Sequence, residues 1–581
     1  MVKIILGALL CSMLSASTLA SSKTDWWEDA SFYQIYPRSW KDSDGNGIGD
    51  LNGITEKLDY LKEIGMTATW LSPIFQSPMA DNGYDISNFT NIDPIFGTLE
   101  DFDALLKKAK SIGLKVILDF VPNHSSVECE WFQKSVNRED GYDDFYVWED
   151  GKDDPMNPGK KLPPSNWISI FGGSMWEWNE KRQQFYLHQF LKEQPDFNFR
   201  NPKVHTEMLE VLKFWLDRGV DGFRIDAVPH MYEKVFENGT YPDEPLSGAT
   251  NNSDSQYYLR HIYTQAQYET VEVLYEWRDF LENYKKQNGG DSRVILAEAY
   301  AEINTLVQYF GNGTHYGAHL PFNFNFAAVS ELLNARTFQM VVSSWMDTMW
   351  KTHKMANWVV GNHDLQRVAS RVGDDLKDLV NVLIASLPGA TITYYGEEIG
   401  MINVEYECPN CGDDQTRNFN RSPFQWDDGI SAGFSTSTNT WLPIAENYKE
   451  NNVKVQRGIA RSTLNVFKSS QRLKHTAAFK EFKDDDGFSY GALNDNVFQV
   501  IRGNKTGEYR ILANFGNKIE NVGPLFGTVM EDATDTFEYT LVTSHSPHRI
   551  GEKVKLSEVY MMPFEACVLK KIGNNSANTS Y

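Results

Sequence analysis

Residues 204–226 read VHTEMLEVLKFWLDRGVDGFRID and show two hydrophobic patterns in succession. From Val204 to Arg218, apolar residues recur at the three- and four-residue spacing that places them on one face of an α-helix. From Gly222 to Asp226 the chain is a short apolar run of β-strand type that finishes in a carboxylate. The segment therefore predicts a helix followed by a buried strand.

The same alternation recurs along most of the chain. Amphipathic helices are predicted at Ile54 to Ile64, Leu99 to Ile112, Val204 to Arg218 and Tyr268 to Tyr284. Apolar β-rich runs lie at Phe32 to Tyr36, Thr67 to Leu71, Lys115 to Phe120, Gly222 to Asp226, Val294 to Glu298, Ala318 to Phe324, Trp358 to Gly361 and Thr391 to Tyr395. About eight strand–helix units predict an α/β protein built on a (β/α)8 TIM barrel.

Two regions depart from the alternation. The segment after the third strand is far longer than a usual strand–helix connection and is rich in Trp, Gly, Pro and Asp, which indicates an inserted B subdomain. After about Lys480, short alternating strands predict a C-terminal antiparallel β-domain. The predicted order is signal peptide 1–20, barrel 21–122, B domain 123–202, barrel 203–480, β-domain 481–573 and polar tail 574–581.

Charge and the N-terminus narrow the functional class. A net charge of −23 argues against a nucleic-acid partner or an anionic membrane surface, whereas a neutral ligand such as a sugar fits. Met1-Val2-Lys3, the apolar run Ile4 to Leu14 and a small-residue stretch ending at Ala20 are typical of a secretory signal peptide, so we expect a secreted protein. The polar C-terminal tail gives no support for a lipid anchor.

Cysteines and sequons agree with an oxidising, glycosylating route. Cys408-Pro-Asn-Cys411 favours a small loop disulfide over a redox site, while Cys129 and Cys567 stay unassigned. Asn-X-Ser/Thr sequons indicate a glycoprotein. They begin at Asn88, Asn238, Asn251, Asn312, Asn420, Asn504, Asn574 and Asn578.

Polar residues finish four of the predicted barrel strands, where a barrel of this type places its active site. They are Asp119 with Asn123 and His124, Arg224 with Asp226, Glu298, and Asn362-His363-Asp364. Two carboxyls on opposite sides of a glycosidic bond are the minimum for retaining hydrolysis. The strand ends therefore predict a carbohydrate-cleaving site.

The spacing also suggests a role for each group. Arg224 lies two residues before Asp226 on one strand, so its cation would hold that carboxylate ionised as a nucleophile. Glu298 follows an apolar run that would raise its pKa and keep it protonated as the acid/base. Asp364 would bind sugar hydroxyls and favour the transition state. Any one of these alone is equally well explained as a salt-bridge partner.

The segments Asp119-Phe-Val-Pro-Asn-His124, Gly222-Phe-Arg-Ile-Asp226, Leu-Ala-Glu298-Ala and Asn362-His-Asp364 resemble, in order, the four signature regions of the α-amylase family, glycoside hydrolase family 13. Gln194-Pro-Asp-Phe-Asn198 resembles a further signature of the oligo-1,6-glucosidase and α-glucosidase branch, and the chain is most similar to insect maltases in it. The resemblance implies a barrel with a B domain and a C-terminal β-domain.

The resemblance also implies site residues and substrates. Asp226 matches the nucleophile, Glu298 the acid/base and Asp364 the transition-state stabiliser, and the glucose subsite is implied to contain Tyr84, His124, Arg224 and His363. An aspartate and an arginine that bind the terminal 4-hydroxyl in exo-acting members match Asp85 and Arg421. Ala227, after the nucleophile, favours α-1,4 over α-1,6 linkages. The expected substrates are short α-glucosides such as maltose, with sucrose as a further candidate.

Asp42-Ser-Asp44-Gly-Asn46-Gly-Ile48-Gly-Asp50 places acidic and amide oxygens at every second position with interleaved glycines, a pattern that can wrap calcium. It resembles the calcium loop of the same branch, and a structural Ca²⁺ with no organic cofactor is expected. The alternative is a polar turn without metal.

Two rival functions stay open at the level of sequence. A transglycosylase or isomerase would pass glucose from the same covalent intermediate to a sugar instead of water. A binding role is the other, because the family includes inactive relatives and gut-surface members that serve as docking sites for bacterial toxins. All three carboxylates are present here, so docking would accompany catalysis. The oligomeric state is not predicted.

Overall fold

The computed structural model describes residues 25–326, 333–407, 416–480, 487–503, 507–526 and 535–572. Its strands are β1 (Ser31–Ile35), β2 (Ala68–Leu71), β3 (Phe75–Gln76), β4 (Asn88–Ile92), β5 (Lys115–Phe120), β6 (Trp148–Glu149), β7 (Lys152–Asp153), β8 (Lys161–Leu162), β9 (Trp176–Asn179), β10 (Gln184–Leu187), β11 (Gly222–Ile225), β12 (Val294–Ala297), β13 (Leu320–Pro321), β14 (Asn357–Val359), β15 (Ala390–Tyr394), β16 (Phe488–Ala492), β17 (Val497–Arg502), β18 (Tyr509–Asn514), β19 (Glu520–Asn521), β20 (Thr536–Val542), β21 (Lys553–Lys555), β22 (Tyr560–Met561) and β23 (Ala566–Lys571). Its helices are α1 (Pro37–Trp40), α2 (Leu51–Glu63), α3 (Leu99–Ser111), α4 (Glu130–Val136), α5 (Pro202–Arg218), α6 (Glu269–Asn288), α7 (Ile303–Phe310), α8 (Ala335–Thr352), α9 (Val368–Val372), α10 (Lys377–Ser386), α11 (Val453–Arg457), α12 (Thr463–Lys474) and α13 (Ala477–Lys480).

Eight parallel strands form the barrel, in the order β13-β12-β11-β5-β2-β1-β15-β14. The predicted (β/α)8 architecture is confirmed. In the register of the sheet, Arg224 of β11 lies beside Asp119 of β5, which brings a cation and a carboxylate together before any loop is considered. Buried apolar side chains such as Trp70, Leu296 and Ile392 fill the interior.

The helix that precedes β11 shows why the local sequence folds as predicted. The Asn201 side chain accepts a hydrogen bond from the Lys203 N–H at the start of α5, and Pro202 occupies the first turn, where its missing N–H has no consequence. Gly219 ends the helix in the left-handed region at φ 108°, a conformation that glycine adopts without steric cost. The chain then turns directly into β11.

The seam between β13 and β14 is bridged by side chains. The prediction of a strand from Ala318 to Phe324 is too long, because only Leu320 and Pro321 pair, and proline has no N–H for the ladder. Fully buried Asn357 spans the seam: its amide donates to the Pro321 carbonyl at 2.7 Å and accepts from the Asn323 N–H at 2.9 Å. Two backbone groups at the seam, the Pro321 carbonyl and the Asn323 N–H, are thereby satisfied.

The long segment after β5 contains α4, the antiparallel sheet β6-β10-β9 and the hairpin β7-β8. A second long connection, after β11, was missed by the sequence analysis. It packs on the inserted segment, where the Trp167 indole donates to the Pro242 carbonyl at 2.7 Å and Trp176 contacts Tyr241 edge to face. The two segments together cover one side of the barrel mouth.

Beyond the barrel, β16-β17-β18-β23-β20-β21 form an antiparallel sheet, which confirms the predicted C-terminal β-architecture. This sheet packs on α8 through aromatic rings such as Phe338 and Phe498, whose centroids lie 4.9 Å apart. The predicted signal peptide, the polar tail and the Cys408–Cys411 pair lie outside the described residues. Cys129 and Cys567 are buried free thiols.

Two further observations concern the surface. Within the described residues, no helix combines the length and apolar character needed to cross a bilayer. The sequon at Asn420 falls on a buried side chain whose amide donates to the Asn362 carbonyl at 3.0 Å, so this position has no room for a glycan.

Candidate active site

A cavity of about 1200 Å³ opens at the carboxyl ends of the barrel strands. Six of the residues predicted for the site line it: Tyr84, His124, Asp226, Glu298, His363 and Asp364. They come from five different connections, so only closure of the barrel brings them together.

Arg224 lies at the centre of the site, with its side chain 1% exposed. Its Nη1 is 2.8 Å from Asp119 Oδ1 and also contacts Asp226 Oδ1, while its Nη2 is 2.8 Å from Glu298 Oε2. A planar guanidinium presents its donors in a fixed fork, which suits simultaneous contact with several carboxylates. The orientation of the two facing carboxyls, Asp226 and Glu298, is therefore set by one shared cation.

Asp119 is the counter-ion of Arg224 at the bottom of the site. Its position at the end of a predicted strand placed it in the site but did not indicate this role. Its second oxygen accepts hydrogen bonds from the Trp70 indole at 3.1 Å and from the Tyr84 hydroxyl at 3.2 Å. With Arg224 on the first oxygen, both oxygens are satisfied, as a fully buried carboxylate requires.

The turn after β11 locks Asp226 to Glu298. Ala227 lies in the left-handed region at φ 49°, which is unfavourable for a residue with a Cβ and is found where surrounding contacts enforce it. Two hydrogen bonds do so here: the Ala227 N–H donates to Glu298 Oε2 at 2.9 Å, and the Val228 N–H donates to the Glu298 carbonyl at 3.1 Å.

Burial separates the two facing carboxyls from ordinary acids. It raises the pKa of Glu298 to about 8, against the opposing effect of Arg224. Burial also raises the pKa of Asp226, again opposed by Arg224. Glu298 therefore holds its proton near neutral pH, while the carboxylate in contact with Nη1 of Arg224 is the one placed to attack.

Asp364 is the most firmly ionised of the group. Burial alone would raise its pKa, but His363, Arg421 and Arg417 reverse the effect and hold that pKa below its usual range. His363 Nε2 lies 3.1 Å from Oδ2 and Arg421 Nη2 lies 3.0 Å from Oδ1. Asp364 thus presents a fixed negative charge to the cavity.

Tyr84 and the neighbouring histidines form an aromatic wall. Tyr84 stacks on His363 with ring centroids 5.2 Å apart and planes 6° apart. His124 is buried, and its Nε2 lies 3.2 Å from the Tyr84 carbonyl oxygen. Burial lowers the pKa of both histidines to about 3, so each is neutral at physiological pH.

The predicted aspartate Asp85 does not reach the cavity. It is fully buried inside its own loop, where it accepts hydrogen bonds from the Ser77 hydroxyl and from the Ala80 and Asp81 N–H groups, each at 2.9 Å. Asp81, four residues earlier, lines the cavity instead. The turn between them, with Asn82 at φ 51° and Gly83 at φ 108°, points the two aspartates in different directions.

Arg421, predicted to bind the terminal 4-hydroxyl together with Asp85, does not line the cavity either. It is 2% exposed, and its Nε donates to the His363 carbonyl at 2.9 Å, so it supports Asp364 from behind. Arg417 lines the cavity in its place, 3.3 Å from Asp81 Oδ1 and 3.6 Å from Asp364 Oδ1. Arg417 and Arg421 are only four residues apart, so the sequence did not show which of the two reaches the cavity.

The rim of the cavity contains aromatic rings that the sequence analysis also missed. Tyr300, two residues after Glu298, is half-exposed and stacks on Phe324 at 4.2 Å, and Tyr257 and Phe171 belong to the two long connections. Apolar rings of this kind present flat faces to a bound sugar. In the sequence, the one signal for such rings is the aromatic share of 13%.

The predicted calcium loop is compact. One carboxylate oxygen from each of Asp42, Asp44 and Asp50 lies within 4.8 Å of the others. Several side-chain oxygens of the loop already accept hydrogen bonds. Asp42 accepts from the Gly45 and Gly47 N–H groups at 2.7 Å, and Asn46 Oδ1 accepts from the Ile48 N–H at 2.8 Å.

A TIM barrel with two adjacent carboxyls, Asp226 and Glu298, held by one arginine in a cavity at the carboxyl ends of its strands has the type of site that glycoside hydrolases use. The model of the α-amylase catalytic domain matches residues 34–481. The chain therefore belongs to the α-amylase family.

Individual relatives extend the comparison. The chain is 57% identical to Maltase A2 of Drosophila melanogaster over 97% of this chain and 98% of that protein. It is 44% identical to an α-glucosidase of Apis mellifera over 84% of this chain and 85% of that protein. Among solved structures, it is similar to the trehalulose synthase MutB from Pseudomonas mesoacidophila MX-45, with 28% identity, a TM-score of 0.79, and coverage of 95% of this chain and 100% of that one.

The carboxyl pair makes a prediction about pH. Glu298 acts as an acid only while protonated, so kcat/KM for an unactivated α-glucoside should fall as pH rises through its pKa of about 8. Asp226 acts only when ionised, so the acid limb should lie above the ordinary aspartate range, because burial raises that pKa. The measurement is a pH profile of kcat/KM.

Glu298→Gln is the matched control, because it keeps the shape and removes the titration. Its residual activity should have no alkaline limb. An alkaline limb that persists in this variant would assign it to another group.

Proposed function

We propose that this chain is a retaining exo-α-glucosidase of maltase type, which releases glucose from the non-reducing end of short α-1,4-glucosides such as maltose. The observation that carries the proposal is the pairing of Asp226 and Glu298 through Arg224 in a cavity that is also lined by the ion pair of Asp81 and Arg417. Relatives named maltase and α-glucosidase at 57% and 44% identity support it.

The proposed reaction has two displacements. The ionised Asp226 attacks the anomeric carbon while Glu298 gives its proton to the departing glycosidic oxygen, which leaves a glucosyl ester on Asp226. Glu298, now ionised, then takes a proton from water as that water attacks the same carbon and frees Asp226. Two inversions give glucose with retained α-configuration.

Asp364 supports the step between ground state and intermediate. Its charge is fixed, and positive charge develops at the anomeric centre only as the bond breaks. A preorganised carboxylate therefore interacts more strongly with the transition state than with the substrate.

Asp81 and Arg417 would account for exo action. They form an ion pair at the cavity wall beside Asp364, where their charged oxygen and nitrogen atoms can bind the outermost hydroxyls of one glucose. A further sugar at that end would clash and leave these groups unpaired, so internal segments of a chain are rejected.

A second candidate function has a specific observation in its favour. The trehalulose synthase noted above shares the fold at a TM-score of 0.79, and such an enzyme would use the same glucosyl ester with a sugar as acceptor. Its lower identity of 28%, against 57% for Maltase A2, favours hydrolysis. Oligosaccharides or sucrose isomers accumulating in place of glucose would favour transfer.

The roles of the two carboxyls are tested by azide trapping. With an activated α-glucoside and azide, Asp226→Ala should give β-glucosyl azide, because azide enters from the face of the missing nucleophile. Glu298→Ala should give α-glucosyl azide, because azide then replaces water at the glucosyl ester. Without azide, Asp226→Ala should lower kcat at least about 1,000-fold.

NMR of the azide products is the measurement, and wild-type protein releasing α-glucose from maltose is the control. The same azide anomer from both variants, or β-glucose from the wild type, contradicts the assignment.

The role of Asp81 in binding the terminal glucose is tested by making the same substitution at Asp81 and at Asp85. Asp81→Asn weakens charged hydrogen bonds to the terminal glucose, so kcat/KM for maltose should fall about 10- to 100-fold. Asp85→Asn is the control. The Asp85 carboxylate accepts three hydrogen bonds within its loop, so this substitution should lower the melting temperature and leave kcat/KM for maltose nearly unchanged. A larger kinetic loss from Asp85→Asn with unchanged melting temperature would restore Asp85 as the wall residue.

We also propose that Asp42, Asp44, Asn46, the Ile48 carbonyl and Asp50 hold a structural Ca²⁺. Oxygen ligands around calcium lie 2.3–2.6 Å from the ion, a spacing that three carboxylate oxygens within 4.8 Å of one another allow. The ion would tie the connection after β1 to Ser435, whose hydroxyl donates to Asp42. It has no part in the reaction steps.

Chelation tests this site. A chelator should lower the melting temperature by several degrees, and added Ca²⁺ should restore it, because an ion bound only by the folded state stabilises it by mass action. Asp44→Asn, on an exposed side chain, should reduce the calcium-dependent part of the shift. An unchanged melting temperature after chelation would leave a metal-free polar turn.

A further inference from the structure

A second cavity, of about 680 Å³, lies at the end of the barrel opposite the catalytic one. Its lining includes Trp27, which precedes β1, His319, which precedes β13, and Met355, which precedes β14, so it opens at the amino ends of these strands. Trp350 of α8 and Phe488 of the C-terminal sheet form one wall, with ring centroids 6.1 Å apart. The volume is in the range of small-molecule sites, and nothing in the reaction above uses this cavity.

The charged side chains in this lining differ from those of the catalytic cavity. Five carboxyl groups line the catalytic cavity, where they can accept hydrogen bonds from sugar hydroxyls. In the second cavity two side chains are cations, Arg278 and Lys354, and among the described residues of its lining Glu28 is the only carboxylate. A lining poor in carboxylates is less suited to a sugar, and its two cations favour an anion.

The two cations are bound to the same stretch of backbone. Arg278 Nη1 donates to the Gly317 carbonyl at 3.2 Å, and Lys354 Nζ lies 3.5 Å from the Phe310 carbonyl oxygen. The Gly317 N–H donates to that same Phe310 carbonyl at 3.1 Å, so the two contacts join neighbouring peptide groups. The guanidinium and the ammonium therefore lie close together in the lining.

Lys354 is the cation that lacks a counter-charge. Arg278 Nε is 2.9 Å from Glu282 Oε1, and Glu28 forms no salt bridge with either cation. Within the described part of the chain Lys354 forms no salt bridge, and its contact with the Phe310 carbonyl is longer than an ordinary hydrogen bond. Burial lowers the pKa of Lys354, and the nearby Arg278 lowers it further. An anion in the cavity would oppose both effects.

The rest of the lining is mainly aromatic. His319 Nδ1 accepts a hydrogen bond from the Ile295 N–H at 3.0 Å, and burial lowers the pKa of this ring far below its usual value, so the ring is neutral and Nε2 carries its one proton. Trp27 packs edge to face against His319, with ring centroids 5.0 Å apart, while Trp350 and Tyr316 are 40% and 70% exposed. Flat rings beside an uncompensated cation suit a ligand with an aromatic body and an acid group.

We propose that this cavity binds a small organic carboxylate with an aromatic body, whose carboxylate contacts Lys354 and Arg278 and whose ring packs on Trp350. Because Arg278 already shares its charge with Glu282, Lys354 supplies the one uncompensated charge, which suits a monoanion. The site lies outside the catalytic cavity, so this proposal does not depend on the proposed function.

Calorimetric titration with 2-naphthoate tests the site, with 2-naphthamide as the neutral probe of the same shape. The wild type should bind 2-naphthoate about 10-fold or more tightly than 2-naphthamide, the range of one hydrogen bond between charged groups. Lys354→Met keeps the apolar stem and removes the charge, so it should weaken 2-naphthoate about 10-fold and change 2-naphthamide less than about twofold. Lys351→Met, at an exposed position of α8 outside the lining, is the matched control and should change neither.

A second variant tests the aromatic wall. Trp350→Leu removes the ring and keeps both cations, so it should weaken 2-naphthoate and 2-naphthamide by the same factor, about 3- to 10-fold. A melting temperature near that of the wild type shows that each variant is folded. If Lys354→Met does not fold, the preference of the wild type for 2-naphthoate and the loss in Trp350→Leu decide the test.

Three results would overturn the proposal. The first is no binding of 2-naphthoate at millimolar concentration. The second is equal affinity of the wild type for the two probes. The third is an affinity for 2-naphthoate that is unchanged in Trp350→Leu, or that changes equally in Lys354→Met and Lys351→Met. The cavity would then be a structural groove between the barrel and the C-terminal sheet.

Discussion

Arg224 is a cation removed from water, and it contacts three carboxyl groups on neighbouring strands, which supply its compensating charge and hydrogen-bond acceptors. A charge in this position is strongly unfavourable unless it is paired, and removal of a partner leaves an uncompensated charge that destabilises the fold by several kcal/mol. The barrel must therefore close with Asp119, Asp226 and Glu298 in contact with one guanidinium. The contacts that satisfy the buried guanidinium are thus the same contacts that orient Asp226 and Glu298.

Closure at this point also explains the strained turn after β11. Ala227 is held at a positive φ by the hydrogen bond from its N–H to Glu298 Oε2. The inserted segment contacts the residues after this turn, because the Gln189 amide donates to the His230 carbonyl at 2.6 Å and to Asp196 at 2.7 Å. Barrel and insertion thus both build the cavity: the strands orient the carboxyls, and the insertion contributes Phe171 and Phe190 to the lining.

The barrel and the residues at its strand ends were predictable, whereas the cavity wall was not. The apolar strands that lead to Asp226, Glu298 and Asp364 predict where these residues lie, because all parallel strands of a barrel end at one mouth. Asp81 and Asp85 lie in one loop at a spacing that either could satisfy, and only the left-handed turn at Asn82 and Gly83 decides between them. The sequence holds no periodic signal for such a turn.

The same limit applies to the connection after β11, whose role depends on packing against an inserted segment distant in sequence, as Trp167 and Pro242 show. Local sequence patterns show the periodicity of a helix or strand, but they do not show which two loops are in contact. His124, His230 and His363 illustrate the consequence for charge. Each would titrate near neutral pH if exposed, but burial lowers the pKa of all three to about 3. The histidines therefore serve as fixed neutral donors or acceptors, and a change of charge in the cavity near neutral pH is left to carboxyls such as Asp226 and Glu298, whose pKa burial raises.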